Sequence, residues 1–101
     1  TDNMDKFIYT QVGQVFNFKE KDSDEILNGM RAKIANMFFS LIELEIPVDE
    51  LSLMLHDRKS DYFIARAIEV HLVYIKKYFL KHGYVLKRVK QGVFILNEIK
   101  K

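Results

Sequence analysis

The side chains of this 101-residue sequence that could do chemistry are chiefly its cations, and these are unevenly distributed. Residues 1–65 carry seven Lys/Arg against twelve Asp/Glu, a net charge of −5, whereas residues 66–101 carry nine against two, a net charge of +7. Lys and Arg bind phosphates, and counterion release from a nucleic acid drives that association. The pattern favours a polyanionic partner for the C-terminal third, although a Lys-rich surface can also serve solubility alone.

The other reactive side chains form no catalytic or metal-binding pattern. The sequence has no Cys, which excludes disulfides, thiolate zinc sites and a cysteine nucleophile. Its three His lie eleven or more residues apart, without the HxxxH or HExxH spacing of zinc sites. Acidic pairs such as Glu43/Glu45 and Asp49/Glu50 lie near predicted helix ends, where capping and solvation explain them. We therefore expect no enzymatic activity, no cofactor and no metal.

Strand patterns predict an antiparallel sheet in the N-terminal part of the chain. Aromatic and β-branched residues dominate 7–12 and 15–19, and Gly13-Gln14 between them fits a turn. Glu25-Ile26-Leu27 is a candidate third strand.

Two helices are predicted after this sheet. Apolar residues from Met30 to Ile42 repeat every three or four positions, which predicts a first helix of about three turns. Its expected N-cap is Asn28, with Ser23 as the less favoured alternative. Asp49, two residues after Pro47, would cap a short second helix. The residues that we expect on the buried side of this second helix are Leu51, Met54 and Leu55.

The longest periodic segment predicts a third helix. It begins with Ser60 or Asp61 as N-cap and ends at Gly83, since Gly commonly follows a helix C-terminus. The predicted buried stripe comprises Ile64, Ala67, Ile68, His71 or Leu72, Ile75 and Phe79. His71 stands at the edge of this stripe, so it is a partly buried structural side chain or a phosphate contact.

A β-hairpin is predicted at the end of the chain. Its two strands are residues 84–90 and 93–96. They flank Gln91-Gly92, where Gly can adopt the positive φ of a two-residue turn. Arg88 and Lys90 have the same parity on the first strand, so we expect both to project from one face while Val89 turns into the core.

The order of these elements predicts a single α+β domain over residues 1–101, with an N-terminal antiparallel sheet, a three-helix bundle and a C-terminal hairpin. This is the winged helix-turn-helix arrangement, in which the third helix lies in the DNA major groove and the hairpin, or wing, reaches an adjacent groove or the phosphates. The sequence also lacks a signal-peptide pattern and any apolar run of about 18 residues, so we expect a cytoplasmic location and no membrane association.

The run R-A-I-E-V-H-L at 66–72, followed by I-K-K at 75–77, resembles the recognition helix of the OmpR/PhoB-type effector domains of bacterial response regulators. The family pattern there is R-(A/T)-(L/I)-(D/E)-V-H-(I/L)-x-x-(L/I)-(R/K)-(R/K). Residues 89–96, V-K-Q-G-V-F-I-L, are similar to its V-R-G-x-G-Y-R-L/F wing, and 47–51, P-V-D-E-L, to the V-S-R-E-x-L opening of its second helix.

This resemblance implies sequence-specific binding of double-stranded promoter DNA in two-component transcription regulation. It further implies a homodimer on direct-repeat sites and a receiver domain on a longer protein, of which Thr1 would mark an excised fragment. By resemblance, Arg66, His71 and Lys76 would contact DNA from the third helix, and Arg88 and Lys90 from the wing. The full set of candidate DNA-binding residues is Arg66, Val70, His71, Val73, Tyr74, Lys76, Lys77, Arg88 and Lys90.

The sequence departs from the family at two base-reading positions. Val73 and Tyr74 stand where the family has a polar or basic residue followed by Arg or Asn. Val73 can contact a thymine methyl and Tyr74 can donate to a base or phosphate, which suits A·T-rich sites and shape readout. The alternative is a protein–protein interaction module without sequence-specific DNA binding. Its apolar patch of Val70, Val73 and Tyr74 would bind a partner such as a subunit of RNA polymerase or a second copy of this chain. In the wing, Gln91 and Val93 replace two family glycines, which changes the expected turn register.

Overall fold

Two antiparallel sheets and three helices make up this α+β protein, whose computed structural model describes residues 6–99. In chain order the elements are β1 (Phe7–Val12), β2 (Val15–Glu20), β3 (Ile26–Asn28), α1 (Met30–Ser40), β4 (Ile46–Pro47), α2 (Val48–His56), α3 (Tyr62–Lys81), β5 (Tyr84–Lys90) and β6 (Val93–Glu98). The expected α+β class is confirmed. Thr1, and with it the expectation of a trimmed N-terminus, lies outside the described residues.

Sheet 1 has the strand order β1-β2-β3 and follows the predicted pattern. Phe18, at the centre of β2, lies opposite Tyr9 of β1 and Leu27 of β3. Because cross-strand partners share a face, these three side chains point to the same side of the sheet. That side covers an aromatic cluster, in which the Phe7 ring lies 5.0 Å from the ring of Phe18 and 5.4 Å from that of Phe79 in α3. Sheet 1 therefore packs on the last turns of α3.

The start of α1 differs from the prediction. The N-cap is Gly29, with a φ of 62°, and no side chain caps the helix. Asn28 is instead the last residue of β3, where it lies opposite Asn17 of β2. The strand thus continues up to the helix, and a residue that tolerates positive φ makes the sharp change of direction. At the other end, α1 stops at Ser40, short of the predicted Ile42.

The second helix begins earlier than predicted, at Val48 after Pro47. Asp49 therefore lies inside the first turn, and its carboxylate accepts hydrogen bonds from the backbone N–H and the hydroxyl of Ser60. Leu51 is fully buried, as expected, but Met54 is 50% exposed, and its assignment to the core is wrong. The buried residues of this helix are Val48, Leu51 and Ser52, so its covered side does not extend to Met54.

The third helix has Asp61 as its N-cap, and this resolves the choice between Ser60 and Asp61. The Asp61 carboxylate accepts a hydrogen bond from the Ile64 N–H at 2.8 Å. The buried residues of α3 are Ile68, Leu72, Ile75, Tyr78 and Phe79. Ala67 is exposed, contrary to the prediction, because the stripe follows the side of α3 that faces α1 and β5.

Sheet 2 has the order β4-β6-β5, and the predicted hairpin forms its larger part. Gly92 in the two-residue turn has a φ of 76°, as expected. The register, however, contains a β-bulge: Arg88 lies opposite Phe94, and Lys90 lies opposite the adjacent Val93. Val89 is the extra residue and is 43% exposed.

The bulge overturns two predictions. Phe94 and Val93 have opposite parity on β6, so their partners Arg88 and Lys90 project from opposite faces of the hairpin. Val89 is not in the core either, because the inserted residue has no opposing position in the ladder. Lys87, opposite Ile95, shares its face with Lys90, and Arg88 shares the other face with Leu86.

Candidate nucleic-acid interface

A groove of about 430 Å³ runs between α3 and the β5–β6 hairpin. Sheet 2 packs on α3 through β5. The rest of the hairpin extends beyond this contact and lies beside the helix. We call this feature the basic groove. It is lined by Arg66, Glu69, Val70, Leu72, Val73, Lys76, Leu86, Arg88 and Phe94.

Three cations from two elements meet in the basic groove. Arg66 and Lys76 come from α3, and Arg88 comes from β5. Within residues 6–99, none of these three has a carboxylate within 4.0 Å. The Arg88 guanidinium instead lies 5.8 Å from the centre of the Phe94 ring, and Glu69 is the one acidic residue among those that line the groove. Unpaired cations on a surface remain available to an anionic partner.

The wall and the floor of the groove differ in exposure. Leu72, Leu86 and Phe94 are buried and form an apolar floor. Val70 and Val73 stand on the α3 wall and are 51% and 53% exposed. The groove therefore offers methyl groups beside free positive charges, a combination that suits thymine methyls and phosphates as well as an apolar, acidic protein surface.

Two of the predicted DNA-binding cations lie outside the groove. Lys77 is exposed on α3 but does not line the basic groove, and Lys90 projects from the opposite face of the hairpin because of the bulge. The candidate cations on α3 and the hairpin are Arg66, Lys76, Lys77, Arg88 and Lys90. The groove contains three of them, and the bulge separates Lys90 from Arg88.

His71 and Tyr74 face α1, where both contact Arg31. The Arg31 Nε–H donates to Nδ1 of His71 at 3.3 Å, and the guanidinium lies 3.8 Å from the centre of the Tyr74 ring. Burial lowers the pKa of His71 below its usual 6.5, and the positive charge of Arg31 lowers this pKa further. The neutral imidazole is thus the form that the structure favours, which weakens the case for His71 as a phosphate contact.

Sequence reasoning did not single out Arg31, Glu69, Leu86 or Phe94 for this region. Glu69 could have been found from spacing, since it lies three residues after Arg66 and on the same side of the helix. Arg31 had no such signal. It belongs to another helix, 40 residues from His71, and only tertiary packing brings the two together.

No protein-family model, curated protein or solved structure matches this chain. In residues 6–99, no three His, Cys, Asp or Glu side chains are grouped so that they could hold a metal ion. The same residues include no helix with the length and apolar character required to cross a bilayer.

Proposed function

We propose that this protein is a winged-helix domain that binds double-stranded DNA through α3 and the β5–β6 hairpin. Under this proposal, α2 and α3 form the helix-turn-helix unit, α3 is the recognition helix, and the hairpin is the wing. The resemblance of residues 66–77 to OmpR/PhoB-type effector domains supports a role in bacterial transcription regulation. It also supports a cytoplasmic location and assembly as a homodimer on promoter DNA.

The observation that carries the proposal is the convergence of Arg66, Lys76 and Arg88 on one groove without acidic partners. Folding has brought together cations 22 residues apart in sequence. Holding like charges near one another costs free energy, and a polyanion recovers that cost by neutralising them.

The three cations have different roles in this proposal. Arg66 has a planar guanidinium that can contact a phosphate or a guanine edge in two places, whereas Lys76 is a point charge suited to phosphate. Arg88 would hold the phosphate backbone from the wing. The helix α3 would lie in the major groove, because an α-helix has a diameter of about 10–12 Å and this groove is about 12 Å wide. Val70 and Val73 would then contact thymine methyls.

The test is a salt titration of DNA affinity with Arg66→Ala and Arg88→Ala. Each variant should weaken binding to random and A·T-rich duplexes and should reduce the slope of log K against log salt by about 0.9 for one lost phosphate contact. Lys19→Ala in sheet 1 is the control, because it removes one positive charge away from the groove. If all three substitutions weaken DNA binding equally, the affinity depends only on the net charge of the protein, and the proposed interface is refuted.

A further inference from the structure

One face of α3 carries an exposed stripe with the spacing of a coiled-coil seam. Its members, which we call the α3 stripe, are Phe63, Arg66, Val70, Val73, Lys77 and Leu80. The intervals are 3, 4, 3, 4 and 3 residues, so all six side chains lie on one side of the helix. The four apolar members are exposed by 79%, 51%, 53% and 55% in chain order.

This stripe is not explained by packing within the protein. The buried residues of α3 form a separate stripe on its other side, which includes Ile68, Leu72 and Ile75. Exposed apolar side chains at coiled-coil spacing on one side of a helix are typical of an interaction site. From Phe63 to Leu80 the stripe spans about 25 Å at a rise of 1.5 Å per residue, the length of a five-turn helix. A second helix laid along α3 would cover all of it.

The charges on and beside the stripe define the partner. Arg66 and Lys77 belong to the stripe itself, and Lys76 and Arg88 flank it on the side of the hairpin. On the side of α1, it is flanked by Arg31, which lies over Tyr74. Glu69 is the one carboxylate that lines the groove beside these cations. A covering helix must therefore present Asp or Glu next to its apolar residues.

A second copy of this chain does not meet that requirement. An antiparallel pair of α3 helices that centred Val70 on Val73 of the other copy would place Arg66 against Lys77 at both ends of the seam. A parallel pair would place Arg66 against Arg66 and Lys77 against Lys77. Both arrangements bring like charges into contact within an apolar interface, which is destabilising.

We propose that the α3 stripe binds an amphipathic, acidic helix of a protein partner, with apolar residues at heptad positions packed on Phe63, Val70, Val73 and Leu80. Acidic residues of the partner pair with Arg66 and Lys77. Because the stripe shares Arg66, Val70 and Val73 with the basic groove, this helix and a DNA duplex exclude each other. The partner helix is then a competitive regulator of the DNA interface.

The experiment uses a fluorescein-labelled 21-residue peptide with Leu at heptad positions a and d and Glu at e and g. Like charges keep this peptide from pairing with itself, so an increase in anisotropy reports binding to the protein. A second peptide carries Lys in place of every Glu, and a third keeps Glu but carries Ser in place of every Leu. We expect binding of the first peptide alone, and its addition should release a bound DNA duplex.

The matched protein variants are Val70→Ser/Val73→Ser and Met54→Ser. Val and Ser have similar helix propensities, and all three side chains are half exposed, so each variant should fold as the parent does, which thermal unfolding verifies. The double variant should bind the Leu/Glu peptide at least tenfold more weakly, whereas Met54→Ser should bind it as the parent does. Neutral substitutions leave the charge of the protein unchanged.

The results separate this proposal from the DNA proposal. If the Leu/Glu peptide does not bind, or binds equally to the double variant, the helix-binding stripe is refuted, whatever the DNA titration shows. If the Leu/Glu peptide does not bind to the parent protein and the double variant binds DNA tenfold more weakly than the parent, the stripe contacts bases instead of a partner helix. Peptide binding that persists in a protein with no affinity for DNA would refute the DNA interface and retain the stripe.

Discussion

The two sheets contact the same helix, α3, yet they leave its charges in different states. Where α3 ends beside sheet 1, two cations make contacts within the protein: Lys6 Nζ donates to the His82 carbonyl at 2.7 Å, and Lys81 Nζ lies 3.2 Å from the Glu25 carboxylate. Beside sheet 2, Arg66 and Lys76 have no such partners among residues 6–99. These contacts beside sheet 1 contribute to stability, whereas the cations of the basic groove remain available for binding.

Hydrogen bonds through Tyr78 also link sheet 1 to α3. Tyr78 Oη accepts a hydrogen bond from the Glu20 N–H at 2.7 Å and donates one to the Glu25 carbonyl at 3.0 Å. Burial raises the pKa of Tyr78, so the hydroxyl stays protonated and keeps its donor role well above neutral pH. This tyrosine joins the end of β2 and the start of β3 to α3, and it makes the sheet and the helix one unit.

The largest expected effect comes from Phe18→Ala, which breaks the aromatic cluster of sheet 1. Phe18 is 1% exposed, and removal of such a ring leaves a cavity that costs about 3–5 kcal/mol in free energy of unfolding. Phe63→Ala is the matched change on the binding side, where the ring is 79% exposed and the cost should stay within about 0.5 kcal/mol. Urea denaturation measures the free energy of unfolding of both variants. Equal losses would contradict the view that the sheet 1 side stabilises the fold and the other side serves binding.

A smaller effect is expected from Tyr78→Phe, which keeps the ring and removes only the hydroxyl. The Glu20 N–H and the Glu25 carbonyl would lose their shared partner, at a cost of about 1–3 kcal/mol in free energy of unfolding. Tyr62→Phe is the control because Tyr62 is 70% exposed, so its hydroxyl is open to water. If both variants unfold at the parent's urea midpoint, the bridge from sheet 1 to α3 contributes no stability.

The smallest expected effect is a pH dependence at the boundary between the two sides, where His71 accepts a hydrogen bond from Arg31. Because the folded pKa of His71 lies below 6.5, the unfolded chain binds this proton more tightly. The contribution of His71 to stability is therefore present above pH 6.5 and is lost as the pH falls through the folded pKa. His71→Gln should flatten this part of the stability curve.

An NMR titration of the His71 ring measures its pKa directly. A His71 pKa above 6.5 would contradict the contact with Arg31. In Arg31→Ala, this pKa should rise because a neighbouring positive charge has been removed.

Local sequence patterns predicted the elements well where short-range chemistry decides the outcome. The α+β class, the first hairpin, the Asp61 cap and the Gly92 turn all follow from side chains within four residues of the feature. Met54 shows the limit of this reasoning. Its spacing fits a helix face, but only the position of neighbouring elements determines which face of a short helix is covered.

The candidate site was predictable only in part. Arg66, Lys76 and Arg88 were candidates through the family resemblance, but their meeting in one groove depends on the packing of β5 on α3. No residue pattern announced the bulge at Val89. The same bulge moved Lys90 out of the groove. Arg31 was missed because contacts between distant helices are set by packing rather than by local sequence.

The attachment of sheet 1 to the end of α3 has a consequence for the order of folding. The hydrogen bond from Lys6 to His82 spans 76 residues, and that from Glu20 to Tyr78 spans 58. Closing such long loops costs entropy before any contact compensates for it, so this half of the core forms late. During synthesis, Phe7 and Phe18 leave the ribosome before the helix that covers them exists. The first strands of the chain therefore pass through a stage with exposed aromatic rings, and this is the stage at which the protein is most prone to aggregate.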